Sequence, residues 1–150
     1  MNLKALMKLL LFLCTGNYYR SRFAEIFFNW HARQRGLRWI AESRGLALTA
    51  SNTGPMSCYT FERLEQLGIS ARDYQRLPLD ATQYDFDIAD HVVAVKETEH
   101  RPMLAARFPD TLSRVQFWEV HDLDGTTPEQ AFPQLEVHVL ALIERLAASE

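Results

Sequence analysis

With 150 residues, of which 47% are hydrophobic and 23% charged, the chain has the size and composition of one globular domain, which excludes long disordered or repetitive segments. Its 16 basic and 19 acidic residues give a net charge of -3, so no basic excess attracts nucleic acid. We therefore expect one domain over residues 1–150 with no nucleic-acid partner.

The chain begins with lysines and an apolar run that imitate a leader sequence. The run Leu9–Leu13 is shorter than the roughly 7 residues of a minimal signal-peptide core, and the residues before Cys14 are large rather than small. No stretch approaches the roughly 18 consecutive apolar residues of a membrane span. The 2 cysteines, Cys14 and Cys58, are typical of a reduced cytosolic protein of this length. We therefore expect an unprocessed, cytoplasmic protein without a membrane partner.

The first predicted elements are a strand, a glycine loop and a helix. Residues 8–13 read KLLLFL, which fits a strand buried on both faces, or a helix, until the glycine and asparagine of "CTGN" break the run. Apolar residues then recur at helical spacing: Phe23, Ile26, Phe27 and Trp30. Ser21 stands at the start of this predicted helix and Gly36 just past its end.

Strands and helices continue to alternate along the chain. The predicted strands are residues 39–43, 91–95 and 115–120, and the predicted helices are residues 57–68, 97–108 and 127–148. Pro102 indicates that the second of these helices starts late or is bent, and the acidic segment 79–90 is predicted as a solvent-exposed helix and loop. This order predicts a single-domain α/β fold with a four-stranded, mostly parallel sheet and helices on both faces. The ligand site is expected at the carboxyl ends of the strands.

The loop after the first strand, "CTGNYYRS" over residues 14–21, combines the features of an oxyanion site. A loop between a strand and a helix points backbone N–H groups and the positive end of the helix dipole at one spot. Gly16 allows close backbone approach, and Asn17 can adopt the left-handed conformation that curls the loop. Arg20 supplies a guanidinium that can bind two phosphate oxygens. Because these groups favour a thiolate at Cys14, the loop indicates a nucleophile within an anion site.

The spacing of cysteine, arginine and serine in this loop resembles the signature of the low-molecular-weight protein tyrosine phosphatases. The stretch "LLLFLCTGNYYRSRFAE" is similar to that family's first strand, phosphate loop and first helix. The resemblance extends more loosely over "SRGLA", "ADHVVAV" and "WEVHDLD", and so covers most of the chain. It implies a bacterial-type phosphatase without metal or cofactor that hydrolyses phosphotyrosine on proteins through a phosphocysteine intermediate.

The resemblance also implies a role for each residue of the loop. Cys14 would attack phosphorus, Arg20 would bind the phosphate and stabilise the transition state, and Ser21 would donate to the thiolate. Asn17 would fix the loop through side-chain hydrogen bonds, while backbone amides hold the phosphate oxygens. The substrate-binding residues expected on this basis are Thr15, Gly16, Asn17, Tyr18, Tyr19 and Ser21.

The family's general acid, an aspartate in an Asp-Pro pair after the fourth strand, corresponds to Asp122. Leu123 stands in the place of that proline, so the rigidity of the loop is open, and Asp124 is a competing carboxylate two positions further on. We predict that Asp122 protonates the leaving phenol and later activates water.

Several positions depart from the family's pattern. Tyr19 stands where many relatives carry a second cysteine, and Cys58, the other thiol, is predicted as a half-buried helix cysteine. The loop after the second strand lacks the family's aromatic residue, so Tyr18 and Tyr19 either line the substrate pocket or pack the loop down.

Two other functions remain compatible with the loop. "CTGN" also opens the thioredoxin-coupled arsenate reductases, although the further cysteines of those enzymes are missing here. The other possible function is that of a module that binds a phosphate or a phosphopeptide without turnover. As partner we expect a phosphorylated protein or peptide substrate, bound by a monomer or weak homodimer. His91 and His100 lack neighbours at metal-ligand spacing, so no metal is expected.

Overall fold

In the computed structural model, which describes residues 6–150, four strands form one parallel sheet of order β2-β1-β3-β4. The strands are β1 Lys8–Cys14, β2 Trp39–Gly45, β3 His91–Ala94 and β4 Val115–Phe117. The apolar run forms the interior strand β1, which pairs with both β2 and β3, and its two apolar faces are covered by helices on both sides of the sheet. The predicted parallel sheet is confirmed. The leader-like start of the chain lies partly in residues 1–5, outside the described residues.

Five α-helices in residues 6–150 connect and follow these strands. They are α1 Arg20–Arg35, α2 Cys58–Gln66, α3 Gln83–Ile88, α4 Glu97–Arg107 and α5 Pro128–Ala148, with 3₁₀ helices at Arg72–Tyr74 and Pro109–Arg114. Gly36 ends α1 in the left-handed conformation, with φ 65°, as its position in the sequence predicts. Within residues 6–150, no helix combines the length and apolar character that crossing a bilayer requires.

Helices cover both faces of the sheet, as predicted. On one face, Leu10 and Phe12 of β1 pack in a buried cluster with residues of α1, α2 and α5. On the other face, Leu11 and Leu13 pack with residues of α3 and α4. Alternate side chains of one strand therefore anchor two apolar layers. The tightly packed β1 holds the thiol at its carboxyl end, Cys14, in a fixed place.

The start of helix α4 differs from the sequence prediction. Helix α4 begins at Glu97, so Pro102 lies beyond its first turn, and of the two predicted alternatives the late start is wrong. The first turn forms because the Glu97 N–H donates to the Trp118 carbonyl at 2.8 Å and the Thr98 N–H donates to Glu119 at 3.1 Å. These acceptors satisfy donors that the helix itself cannot satisfy.

The acidic segment 79–90 is only partly exposed, contrary to prediction. Its helix α3 buries Phe86 completely, and Asp85 is also buried. The Asp85 carboxylate accepts from the Thr82 N–H at 2.8 Å, while the Thr82 hydroxyl accepts from the Asp85 N–H at 3.4 Å. This capping box explains why an aspartate lies inside a buried turn.

Candidate active site

Cys14 lies at the wall of a cavity of ≈ 230 Å³ that opens at the carboxyl end of β1. Its Sγ is 2.8 Å from the Ser21 hydroxyl oxygen. The Asn17 amide donates to that same oxygen at 3.0 Å. Because the oxygen already accepts from Asn17, its own hydrogen is available to point at the sulfur. Ser21 is therefore oriented as a donor to a Cys14 thiolate.

Asn17 adopts the left-handed conformation that the sequence predicts, with φ 51°. Its side chain is fully buried and forms four hydrogen bonds. Beyond Ser21, the amide nitrogen donates to the Ser43 hydroxyl at 2.9 Å, and the amide oxygen accepts from the Leu79 N–H at 3.0 Å and from Arg76 at 2.9 Å. These bonds fix the curl of the loop.

The end of β2 supports the loop from the other side. The N–H groups of Leu46 and Ala47 donate to the Cys14 and Thr15 carbonyls at 3.0 and 2.9 Å. A Cβ at Gly45 would lie 2.7 Å from the Thr15 carbonyl oxygen, so only glycine allows this approach. The "SRGLA" segment therefore carries loop-supporting residues, although its sequence shows none of these contacts.

Arg20 is 1% exposed and reaches the cavity from the first turn of α1. Its Nη1 donates to the Val120 carbonyl at 3.0 Å, and Glu99 accepts from Nη2 at 2.8 Å and from Nη1 at 3.3 Å. Burial opposes the charged guanidinium, but the charge on Cys14 and the contacts with Glu99 raise the pKa of Arg20 above its ordinary value. Within residues 6–150, no acceptor lies at hydrogen-bond distance from Nε. Glu99 and Val120 thus hold the edge of the guanidinium that carries Nη1 and Nη2, and the Nε edge is left for a ligand.

Glu99, which the sequence analysis missed, holds Arg20 through a buried network. The Lys96 N–H donates to His100 Nδ1 at 3.1 Å, so Nε2 carries the proton and points to the Glu99 carboxylate at 3.1 Å. The Thr15 hydroxyl also donates to Glu99. Burial alone would raise the pKa of Glu99, but hydrogen bonds from His100, Arg20 and Thr15 hold it well below the usual range. Glu99 is therefore an ionised positioning residue.

Replacing Glu99 by glutamine is expected to lower kcat/KM for a small aryl phosphate by about tenfold and the free energy of unfolding by about 1–3 kcal/mol. The amide removes the charge opposite Arg20 and places a donor where an acceptor is needed. Steady-state kinetics and denaturant unfolding measure the two effects. Glu97→Gln is the matched control, because Glu97 lies on the same helix and pairs with the exposed Arg101. Equal losses in both variants would contradict the positioning role.

The structure places Asp122, and not Asp124, at the cavity. Asp122 lines the cavity and lies 3.3 Å from Arg20 Nη2, whereas Asp124 is exposed and outside the lining. The Leu123 N–H, which a proline would lack, donates to the Asp122 carboxylate at 2.8 Å. The Gly125 and Thr126 N–H groups both donate to the Asp122 carbonyl, at 2.9 and 3.1 Å. This loop is therefore held by backbone hydrogen bonds instead of the missing proline.

The two loop tyrosines differ in their packing. Tyr18 is half-buried on the cavity wall and donates from its hydroxyl to the Thr53 carbonyl at 2.6 Å. Tyr19 is only 6% exposed and packs edge-on against Phe132, with the ring centroids 5.3 Å apart. Burial, with the charge of Asp122 adding to it, raises the pKa of Tyr19 to about 12. Tyr18 therefore presents the larger aromatic surface to a ligand.

Helix α2 contributes wall residues that the sequence analysis did not assign to the site. Cys58 is exposed and lines the cavity, so the expectation of a half-buried cysteine is wrong. Tyr59 lines the cavity beside it. The Ser57 N–H donates to the Tyr18 carbonyl at 2.8 Å, and the Thr60 hydroxyl donates to the Tyr19 carbonyl at 2.9 Å. These bonds fix the start of α2 against the loop.

The sequence profile of the family described as low molecular weight phosphotyrosine protein phosphatase matches residues 9–132. No curated protein matches the chain significantly.

Solved structures of the same architecture cover almost the whole chain. A low molecular weight protein tyrosine phosphatase from T. tengcongensis is 26% identical, with a TM-score of 0.75 over 95% of this chain and 99% of its own. A YwlE mutant from Bacillus subtilis is 23% identical, with a TM-score of 0.79 over 93% and 99%. The YwlE arginine phosphatase from Geobacillus stearothermophilus is 24% identical, with a TM-score of 0.76 over 95% and 94%.

Proposed function

The chain belongs to the low molecular weight phosphotyrosine protein phosphatase family, and from this premise we propose that it hydrolyses phosphotyrosine on proteins through a phosphocysteine at Cys14. The family supports a cysteine-based phosphatase. The observation that carries the finer proposal is the convergence of Cys14, Arg20 and Asp122 on one cavity with aromatic walls.

In the first half-reaction, the Cys14 thiolate attacks phosphorus and the bond to the phenolic oxygen breaks. Asp122 donates its proton to that oxygen, so the phenol leaves neutral. The Nε edge of Arg20 and the loop amides bind the equatorial oxygens, on which negative charge increases in the transition state. Glu99 keeps the guanidinium in the orientation that this contact requires.

In the second half-reaction, the ionised Asp122 takes a proton from water, whose oxygen attacks phosphorus. The bond between phosphorus and sulfur breaks, inorganic phosphate forms, and the thiolate of Cys14 returns. The Ser21 hydroxyl, 2.8 Å from Sγ, stabilises the departing thiolate. Asp122 ends the cycle protonated, ready for the next substrate.

Phosphoarginine is the second candidate substrate, because three of the similar structures are forms of YwlE and two of these are described as an arginine phosphatase. In this chain, Asp122 is the carboxylate on the cavity wall that could pair with a guanidinium. The aromatic surfaces of Tyr18 and Tyr59 instead suit the ring of phosphotyrosine. The aromatic walls therefore favour the aryl ester.

The substrate is tested by kcat/KM on matched peptides that carry either phosphotyrosine or phosphoarginine. We expect the phosphotyrosine peptide to react faster than the phosphoarginine peptide. Vanadate should inhibit this hydrolysis, because vanadate imitates the phosphoryl transition state. Preference for phosphoarginine would replace the proposed substrate but keep the nucleophile. Arsenate-dependent oxidation of thioredoxin would support the reductase alternative, and tight phosphopeptide binding without turnover would support a binding module.

A further inference from the structure

A second groove, of ≈ 210 Å³, adjoins the catalytic cavity on the surface between α2 and the start of α5. Tyr59 lines both the cavity and the groove, so the two spaces are neighbours across one side chain. Phe132, Pro128 and Pro133 line the α5 side of the groove. A peptide whose phosphorylated residue enters the cavity therefore brings a flanking residue over this groove.

The charges that line the groove are predominantly negative. Glu62 of α2 and Glu129 of α5 are exposed, and neither forms an ion pair with any residue in the range 6–150. Arg63, the cation of the groove, does not compensate them, because its Nε and Nη2 donate to the Glu136 carboxylate at 2.9 and 3.0 Å. That two-point pair satisfies both charges within itself. Glu62 and Glu129 are left to attract a cation.

We propose that this groove binds a lysine or arginine side chain that flanks the phosphorylated residue of the substrate. The inference rests on the proposed function, since it takes the cavity as the place of the phosphoryl group. The aliphatic part of the basic side chain packs on Tyr59 and Pro133, which are both exposed, and its charged end reaches Glu62 and Glu129. The substrate thus presents an anion to Arg20 and a cation to the groove, so charge sets the direction in which it binds.

The test uses two phosphotyrosine pentapeptides, one with lysine and one with glutamate on both sides of the phosphorylated residue. Dissociation constants are measured with the Cys14→Ser protein, and kcat/KM with the wild type. We expect the lysine peptide to be preferred by about threefold to tenfold at low salt, and the preference to shrink at roughly 1 M salt. The double variant Glu62→Gln/Glu129→Gln should lose most of the preference. Glu65→Gln, on α2 but outside the groove, is the matched control and should keep it.

The outcomes separate this proposal from the proposed function. Equal affinity for the two peptides, or a preference that survives in the double variant, would overturn the basic subsite even if the wild type hydrolyses both peptides. A preference that disappears in the double variant, without turnover by the wild type, would support the subsite and contradict the phosphatase assignment. If neither peptide binds and neither is hydrolysed, both proposals are wrong.

Discussion

Replacing Cys14 by serine is expected to reduce hydrolysis of p-nitrophenyl phosphate to the level of the blank, a loss of at least about a thousandfold. Serine keeps the size of the side chain and a contact with Ser21, but its hydroxyl is not ionised at neutral pH and is a poor nucleophile. The loss should therefore come from the chemistry and not from unfolding. Initial rates measure it, and circular dichroism checks that the fold is retained.

Cys58→Ser is the matched control for this experiment, because Cys58 is the other cysteine of the chain. It is exposed on the cavity wall and has no role in the proposed chemistry, so most of the turnover should remain. A Cys14→Ser protein that keeps its turnover, or a Cys58→Ser protein that loses it, would move the nucleophile away from Cys14.

Asp122→Asn is expected to lower kcat on a phosphotyrosine peptide by about 10²–10⁴, the usual contribution of a general acid. Asparagine cannot donate a proton to the phenolic oxygen or accept one from water, so both half-reactions slow. The pH-rate profile of the wild type should contain a basic limb that belongs to the general acid, and this limb should be absent from the variant. The pH dependence of the rate is measured for the wild type and for Asp122→Asn over the pH range in which both proteins stay folded.

Asp124→Asn serves as the control for Asp122→Asn. Asp124 is exposed and outside the cavity, so its variant should keep both the rate and the basic limb. If the rate and the basic limb are lost in Asp124→Asn instead, the loop that carries both aspartates must rearrange when the substrate binds. Asp124 would then have the role assigned to Asp122.

The parts of the fold that depend on residues close together in the sequence were predictable. The strand, loop and helix over residues 8–36 follow from an apolar run, a glycine loop and helical spacing that closes at Gly36. The start of α4 was not predictable, because its first donors are satisfied by Trp118 and Glu119, about 20 residues further along the chain. Propensity and proline position alone do not contain that contact.

The same distinction applies to the candidate site. The loop residues from Cys14 to Ser21 are contiguous, so their spacing could be recognised directly. Glu99 comes from α4, and only the packing of α4 against the carboxyl end of the sheet brings its carboxylate to Arg20. Nothing in the letters around Glu99 distinguishes it from the exposed Glu97 two positions earlier, which pairs with Arg101. The difference is burial, which the sequence does not show.

The most direct test of the account is to trap the covalent intermediate. Asp122→Asn protein is mixed with p-nitrophenyl phosphate, whose phenolate leaves without help from an acid, then quenched in alkaline denaturant and digested, and the peptide that contains Cys14 is analysed by mass spectrometry. Because the variant slows the attack of water but not the first step with this substrate, we predict that the peptide gains the mass of one phosphoryl group on Cys14, and that Cys14→Ala protein treated in the same way does not. Turnover of the substrate without any phosphoryl group on Cys14 would contradict the proposed mechanism.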